Sequence, residues 1–296
     1  MGRWDLGGVT VDRVFENEAP LLEPEVLFPD FDLELFESHR SWLEPKQLDP
    51  ATGLLILAFN SYVIRTRHHT ILVDTCAGND KERPQKPRYH MQNWPYLERL
   101  KVTGLTPADI DFVMCTHLHA DHVGWNTRLV DGCWVPTFPN ARYLFTRQEY
   151  EHWQDEKRRS LYTSDPFFED SVLPVIETGQ ADWVNMDYAL DDNVRLVPTP
   201  GHTPGHVCVH AKGSRVDAVM SGDLMHHTLQ CAIPAWSSCF CVDPVASRVT
   251  RRAFLELYAD TETLIMPAHF PAPSVGQIRS EGEAFRFAFG EEALGA

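Results

Sequence analysis

The segment Thr116-His117-Leu118-His119-Ala120-Asp121-His122 constrains this chain more than any other. It sets three imidazoles and one carboxylate within six positions, His117, His119 and Asp121 alternating with apolar residues. Neutral imidazole nitrogens and a carboxylate form a ligand set that zinc accepts readily. A helix would turn residues at that spacing to different sides, so the segment reads as a loop leaving a strand. The apolar run Phe112-Val113-Met114-Cys115 supplies the strand. A polar loop merely rich in histidine is the plain alternative, and the density of ligand-type residues outweighs it.

The bulk properties narrow the function. A chain of 296 residues can bury a large core, as one large domain or two fused halves. Its formal net charge of -16, from 42 acidic against 26 basic residues, would repel a nucleic-acid backbone. Lys157-Arg158-Arg159 is the one dense basic stretch and reads as a solvated helix end. No apolar run approaches the roughly 20 residues that span a bilayer, and residues 1–8 lack the layout of a secretory signal. Seven cysteines show no disulfide framework, which points to reducing cytoplasm. Cys239 and Cys241 read as small buried hydrophobes rather than a metal or redox pair.

Strand patterns at 54–60, 62–64 and 70–73 predict a hairpin turning at 65–69. Residues 79–95, rich in Lys, Arg, Pro and Tyr, read as a mobile surface loop, 95–102 as a helix closed by Gly104, and 146–159 as one polar helix. Further strands are expected at 194–197, 207–211, 216–220 and 264–266. Asp243-Pro244 caps and opens a helix whose apolar face is Val245, Val249, Ala253 and Leu257. Strands and helices alternate in both halves, which favours a layered α/β architecture.

Three more metal-competent residues follow predicted strands: His202 in Thr199-Pro200-Gly201-His202, Asp223 in Ser221-Gly222-Asp223, and His269 in Pro267-Ala268-His269. Ligands gather at the carboxyl ends of strands in α/β sheets. The order His-x-His-x-Asp-His, His, Asp, His resembles the metallo-β-lactamase superfamily of dinuclear metal hydrolases, from about Leu54 to His269. The resemblance implies an αββα four-layer sandwich of two pseudo-symmetric halves, residues 1–296 forming one domain. It implies that His117, His119 and His202 bind one metal, that Asp121, His122 and His269 bind a second, and that Asp223 bridges them. Asp74 resembles the family's buried aspartate behind a ligand loop; an ordinary turn aspartate is the alternative.

Two zinc ions are the expected cofactors, although iron, manganese or cobalt suits the same ligands. Two cations about 3.5–4 Å apart can hold a bridging hydroxide, because coordination lowers the pKa of water towards about 7. The expected activity is therefore hydrolysis, with Asp121 also a candidate to handle the proton. The redox branch of the family carries a glutamate where this chain has His119. In length and strand-rich amino-terminal region the chain resembles the lactonase and organophosphate-hydrolase branch. That resemblance implies a small apolar ester-like substrate, most of all a lactone, with a phosphotriesterase or arylesterase as the enzymatic alternative and a metal-stabilised binding module as the non-enzymatic one.

Candidate substrate-binding residues are Trp125, His226 and Trp236. Many acyl-homoserine lactonases carry a tyrosine three residues after the bridging aspartate. His226 stands there in this chain and is a candidate catalytic residue, a supporting or surface role weighing equally. Residues 79–96 and 232–240 read either as a pocket lid or as a surface for a homodimer. A small molecule is the expected partner, with neither nucleic acid nor membrane.

Overall fold

Alternation along the strands decides which side of each sheet meets which layer, since successive side chains point to opposite faces. The computed structural model describes residues 2–290. Its amino-terminal sheet starts with β1 (Arg3–Asp5), β2 (Thr10–Leu22), β3 (Leu55–Arg65), β4 (Thr70–Val73) and β5 (Phe112–Met114). A two-stranded ribbon, β6 (Thr127–Val130) and β7 (Cys133–Pro136), follows. Then β8 (Arg142–Thr146) and β9 (Ala181–Val184) complete the order β1-β2-β3-β4-β5-β8-β9. The second sheet keeps chain order: β10 (Val194–Pro198), β11 (Val207–Ala211), β12 (Ala218–Gly222), β13 (Leu264–Pro267), β14 (Gly276–Glu281) and β15 (Ala284–Phe289).

One face of each sheet packs against the other. Ile64, Ile71, Val73, Met114 and Leu144 meet Leu196, Val209, Ala218, Met220 and Met266 in a single core. Neighbours one position away face outward. Val63, Leu72, Val113 and Phe145 pack under the helices that carry Leu100, Trp153 and Phe167. Cys208, Val219 and Ile265 pack under Phe254 and Leu255 of the helix Pro244–Tyr258. The layers therefore run helix, sheet, sheet, helix, as expected from the sequence.

Several local expectations change. Ser61 does not break its strand; β3 runs through it to the hairpin with β4. The helix expected over 146–159 is two, Arg147–Trp153 and Glu156–Tyr162, because Asp155 turns its carboxylate to Lys157 N (2.9 Å) and starts a second helix. The cap and proline of Pro244–Tyr258 stand as read, with Asp243 accepting from Val245 N and Ala246 N. Its apolar face does not: Val245, Val249 and Leu257 are 66%, 66% and 65% exposed, and Ser247, Arg251, Phe254 and Leu255 are buried instead. The cause is Arg251, whose guanidinium donates to Pro234 O at 3.1 and 2.9 Å and to Ser237 Oγ at 3.2 Å. Those buried acceptors outweigh the apolar stripe.

The segment 79–95 is anchored rather than free. Arg83 makes a bidentate pair with Asp170 at 2.6 and 2.8 Å, and Lys81 Nζ donates to Thr127 Oγ1 (2.6 Å) and Asp170 O (3.1 Å). Both cations are fully buried. Fixed there, the loop lays Lys86 and Tyr89 against a cavity between the sheets' ligand-bearing edges.

Candidate metal centre

Each ligand-bearing loop leaves the carboxyl end of a strand: β5, β10, β12 or β13. The parallel pairs β4·β5 and β12·β13 bring those ends together. After β5 the chain bends at Thr116 and His117 and then enters the single helical turn Ala120–Val123, which presents Asp121 and His122. Gly222 precedes Asp223 at φ +49, where a Cβ would stand 2.7 Å from Thr116 Oγ1 and 2.8 Å from His206 Nε2. No side chain fits there, so glycine sets the approach of the aspartate.

The structure brings all seven sequence-derived ligand residues into one cluster. His117, His119, His202 and Asp223 form one set and Asp121, His122 and His269 another, the ligand atoms within each lying within 4.8 Å of one another. In the first, His202 Nε2 lies 3.2 Å from His117 Nε2, 2.9 Å from His119 Nδ1 and 3.2 Å from Asp223 Oδ2. In the second, His122 Nε2 lies 3.2 Å from His269 Nε2, and Asp223 Oδ1 lies 3.0 and 2.9 Å from those two nitrogens. Asp223 thus turns one oxygen to each set.

A cation explains these spacings better than hydrogen bonds do. Ligands about 2.0–2.1 Å from a tetrahedral ion stand roughly 3.3 Å apart. Asp223 Oδ1 is buried with no donor directed at it, despite the two near imidazoles. Their nitrogens share a focus with it instead of pointing at it.

The outer partners fix the tautomers. Asp74 accepts from Thr116 N (2.7 Å), Thr116 Oγ1 (2.9 Å) and His122 Nδ1 (2.9 Å). Thr116 Oγ1, having donated to Asp74, accepts from His117 Nδ1 at 3.1 Å. His269 Nδ1 donates to Ala58 O at 2.9 Å. Each bond holds a proton on Nδ1 and leaves Nε2 free to ligate. Asp74 adopts φ 56, a conformation aspartate tolerates, and so reaches behind both ligand loops.

The electrostatics divide the ligands: burial opposes charge on His202 and His269, but Asp223 outweighs it and raises both, His202 to about 9. Burial and neighbouring imidazoles push His117 and His119 well below the ordinary histidine pKa, keeping them neutral. Burial also opposes charge on His122, yet Asp223 and Asp74 outweigh it and raise its pKa. Asp223, although buried, is held well below the usual carboxylate range by His122, His269 and their neighbours. Burial takes His226 down to about 4, so its ring is neutral.

The remaining candidates divide. His226 lines the cavity, its Nε2 3.1 Å from Asp223 Oδ2 and 3.4 Å from Ser238 Oγ. Trp125 does not line it: the indole stacks on Tyr96 with ring centroids 5.3 Å apart and donates Nε1–H to buried Glu16 at 2.6 Å. Trp236 is likewise in the interior, packed on Phe28 and Phe31 in the cluster that seats the amino-terminal helices. Cys241 is not a packed hydrophobe either; its Sγ lies 3.6 Å from His202 Nδ1, while Cys239 is exposed.

Other residues had no sequence signal. Glu149 joins two ligand loops, accepting from Leu118 N at 3.1 Å and Gly205 N at 2.9 Å. Tyr162 stacks on His119, centroids 4.4 Å apart and planes 1° from parallel. With Lys86, Tyr89 and Phe240 it walls a cavity of about 370 Å³, whose other sides are Leu21, Leu22, Leu57 and Phe59.

Residues 57–269 match the Metallo-beta-lactamase superfamily along their whole length. The chain belongs to that superfamily. Among its relatives, N-acyl homoserine lactonase AttM of Agrobacterium fabrum is 28% identical over 159 residues, covering 47% of this chain and 53% of that protein. An N-acyl homoserine lactonase of a Bacillus species is 32% identical over 164 residues, covering 52% and 58%. The chain spans about half the length of the curated relatives it matches. Two solved structures share the superfamily fold over nearly the whole chain. AbOPH, a hydrolase, superposes with a TM-score of 0.80 at 22% identity over 96% of this chain and 95% of its own. AidC, a dizinc quorum-quenching lactonase, gives 0.78 at 18% identity over 97% and 96%.

Proposed function

We propose that this superfamily member is a dinuclear zinc-dependent hydrolase, residues 1–296 acting as one domain, whose substrate is a small, largely apolar lactone. One observation carries the reading: two complete ligand sets share the carboxylate of Asp223 on the floor of an apolar cavity. The relatives' lactonase activity and AidC's zinc pair and product support the same choice. Zinc suits an imidazole-rich site, and iron, manganese or cobalt would occupy it as well.

His117, His119, His202 and Asp223 would hold one ion; Asp121, His122, His269 and the other oxygen of Asp223 the second. Bound divalent ions supply Lewis acidity and bring the pKa of a water from 15.7 to about 7. The protein's own residues position the reaction. Asp121, least buried of the ligands, has an oxygen 3.4 Å from the Tyr89 hydroxyl and 3.7 Å from His269 Nε2. There it receives the proton released as the nucleophile attacks and returns it to the leaving alkoxide. His226, neutral and beside Asp223, donates a hydrogen bond to the ester oxygen. Leu21, Leu57, Phe59 and Phe240 exclude water and take the acyl chain.

No helix among the described residues is long and apolar enough to cross a membrane. On the free thiols, which suit a reducing compartment, we propose a cytoplasmic location. A homodimer would use residues 79–96 and 232–240, where Met91 is exposed.

The test is ring opening of a medium-chain acyl-homoserine lactone by zinc-loaded protein, followed by proton release. Rapid, chelator-sensitive turnover is expected. Two bound metals with turnover only on aryl esters or phosphotriesters would move the substrate class. Two bound metals and no turnover on any ester, lactone or triester would make the chain a metal-stabilised binding module.

A further inference from the structure

The cavity over the ligand sets is not closed off on every side. Lys86, Tyr162 and Phe240 wall both it and a neighbouring cavity of about 420 Å³. The chain carries a formal net charge of -16, yet no carboxylate lines the second cavity. On the first, the carboxylates are Asp121 and Asp223, both belonging to ligand sets. The basic groups are Lys86 and Arg88 on the first wall, Lys86 and Arg158 on the second.

Lys86 differs from Lys81 and Arg83 of the same loop. Lys81 and Arg83 share Asp170 as a buried counter-charge. Arg158 has Asp155 Oδ2 at 3.7 Å. Lys86 forms no ion pair with any carboxylate among the described residues. Its Nζ donates to Tyr162 Oη at 2.8 Å and stands 4.1 Å from the centre of that ring. An ammonium carries three donors, so two remain. Burial lowers its pKa, and Asp121 and Asp165 oppose this from beyond contact distance. A half-buried cation beside an aromatic ring, without counter-ion and facing a cavity, is incompletely compensated until an anion arrives.

We propose that Lys86 receives a carboxylate at the far end of the substrate's acyl chain, so that the preferred substrates are esters or lactones of an apolar dicarboxylic acid. This rests on the hydrolase reading above and names its substrate class. A single ammonium matches a singly charged group. The cavity that Lys86 lines also presents Leu21, Leu22, Leu57 and Phe59, an apolar surface that fits the methylene chain. The nearby aromatic ring and restricted access to water strengthen the ion pair relative to one on the surface.

The matched probes are the mono-4-nitrophenyl ester of adipic acid and 4-nitrophenyl hexanoate, which have acyl chains of equal length and differ in the terminal carboxylate. Zinc-loaded protein is expected to favour the anionic ester in kcat/KM by about tenfold or more. In Lys86→Met that ratio should collapse towards one through a rise in KM for the anionic ester, and Lys86→Arg should restore part of it. Calorimetric titration of adipate should show binding weakened about tenfold in Lys86→Met, with metal content unchanged. Equal rates on both esters in the wild type would overturn the proposal, as would a Lys86→Met effect on both esters alike or unchanged adipate affinity. Relief of inhibition by hexanoate in Lys86→Met without any ester preference would assign the lysine to the product and overturn it too. Lys86-dependent adipate binding without hydrolysis of either ester would sink the hydrolase reading and leave the anion site standing.

Discussion

Asparagine in place of Asp74 alters the shape of the site least and its proton positions most. The carboxylate accepts three hydrogen bonds, one from Thr116 N on Oδ1 and two on Oδ2, from Thr116 Oγ1 and His122 Nδ1. An amide has one acceptor oxygen. Kept on Thr116 N, it turns NH2 towards His122 Nδ1–H, donor against donor. His122 escapes by moving its proton to Nε2, the nitrogen 3.2 Å from His269 Nε2, and a protonated Nε2 cannot ligate. Backbone strain does not confuse the result, because asparagine tolerates φ 56 as aspartate does.

Two charge-assisted bonds are worth about 1.5–3 kcal/mol each. Rearrangement of the imidazole and the threonine hydroxyl recovers part of that. The remainder falls in the range typical of residues behind metal ligands, a 10–100-fold loss of affinity, or about 1.4–2.7 kcal/mol. The loss should concentrate on the ion held by Asp121, His122 and His269, because His117 Nδ1 retains its acceptor in Thr116 Oγ1. Cobalt titration of metal-free protein against a competing chelator resolves the two binding steps. Unchanged affinity at both steps, or a greater loss at the His117 set, would refute the reasoning.

Three further outcomes are expected. His226→Phe keeps a ring in the cavity wall and removes its hydrogen bonds, so kcat should drop about 10²-fold with metal content unchanged; an unaltered kcat would end its catalytic role. Trp125→Phe removes the indole donor to buried Glu16, and chemical denaturation should show a loss of about 1–3 kcal/mol with KM unchanged; a changed KM without destabilisation would return Trp125 to the cavity wall. Asp170→Asn leaves Lys81 and Arg83 buried without a counter-charge, a cost of about 3–5 kcal/mol relieved by local opening. Limited proteolysis should then cut within 79–95 faster and KM should rise; unaltered proteolysis and KM would show that the loop has another anchor.

The ligand residues were legible because their signal is local. His117 to His122 lie within one short segment, and His202, Asp223 and His269 each follow a recognisable strand. The layer order was legible for a similar reason, since alternation in β4, β5, β8 and β12 is written residue by residue. The cavity wall was not. Lys86, Tyr162 and Phe240 come from three distant segments and meet only after the sheets have packed. The exposed stripe Val245, Val249, Leu257 shows the limit from the other side, because spacing cannot reveal that Arg251 has carbonyls to satisfy.

This division has a physical basis. The ligand loops are short and tied at both ends: Asp74 holds the β5 loop from beneath, and Glu149 binds that loop to the one carrying His202. Buried carboxylates that accept backbone N–H groups leave such loops few alternative conformations. The loop side of the cavity wall rests on a different foundation, one buried aspartate beneath a seventeen-residue segment (79–95), plus a helix pair interrupted at Asp155. Substitutions can reshape that wall without moving a ligand, since the two systems share few groups beyond the Tyr162 ring on His119 and the Tyr89 hydroxyl near Asp121. The apolar side of the cavity, Leu21, Leu57 and Phe59, lies on β2 and β3 with the sheets, and the loops supply the rest of its wall. Lys86 stands on the loop side of that boundary, where this chain has room to differ from its relatives.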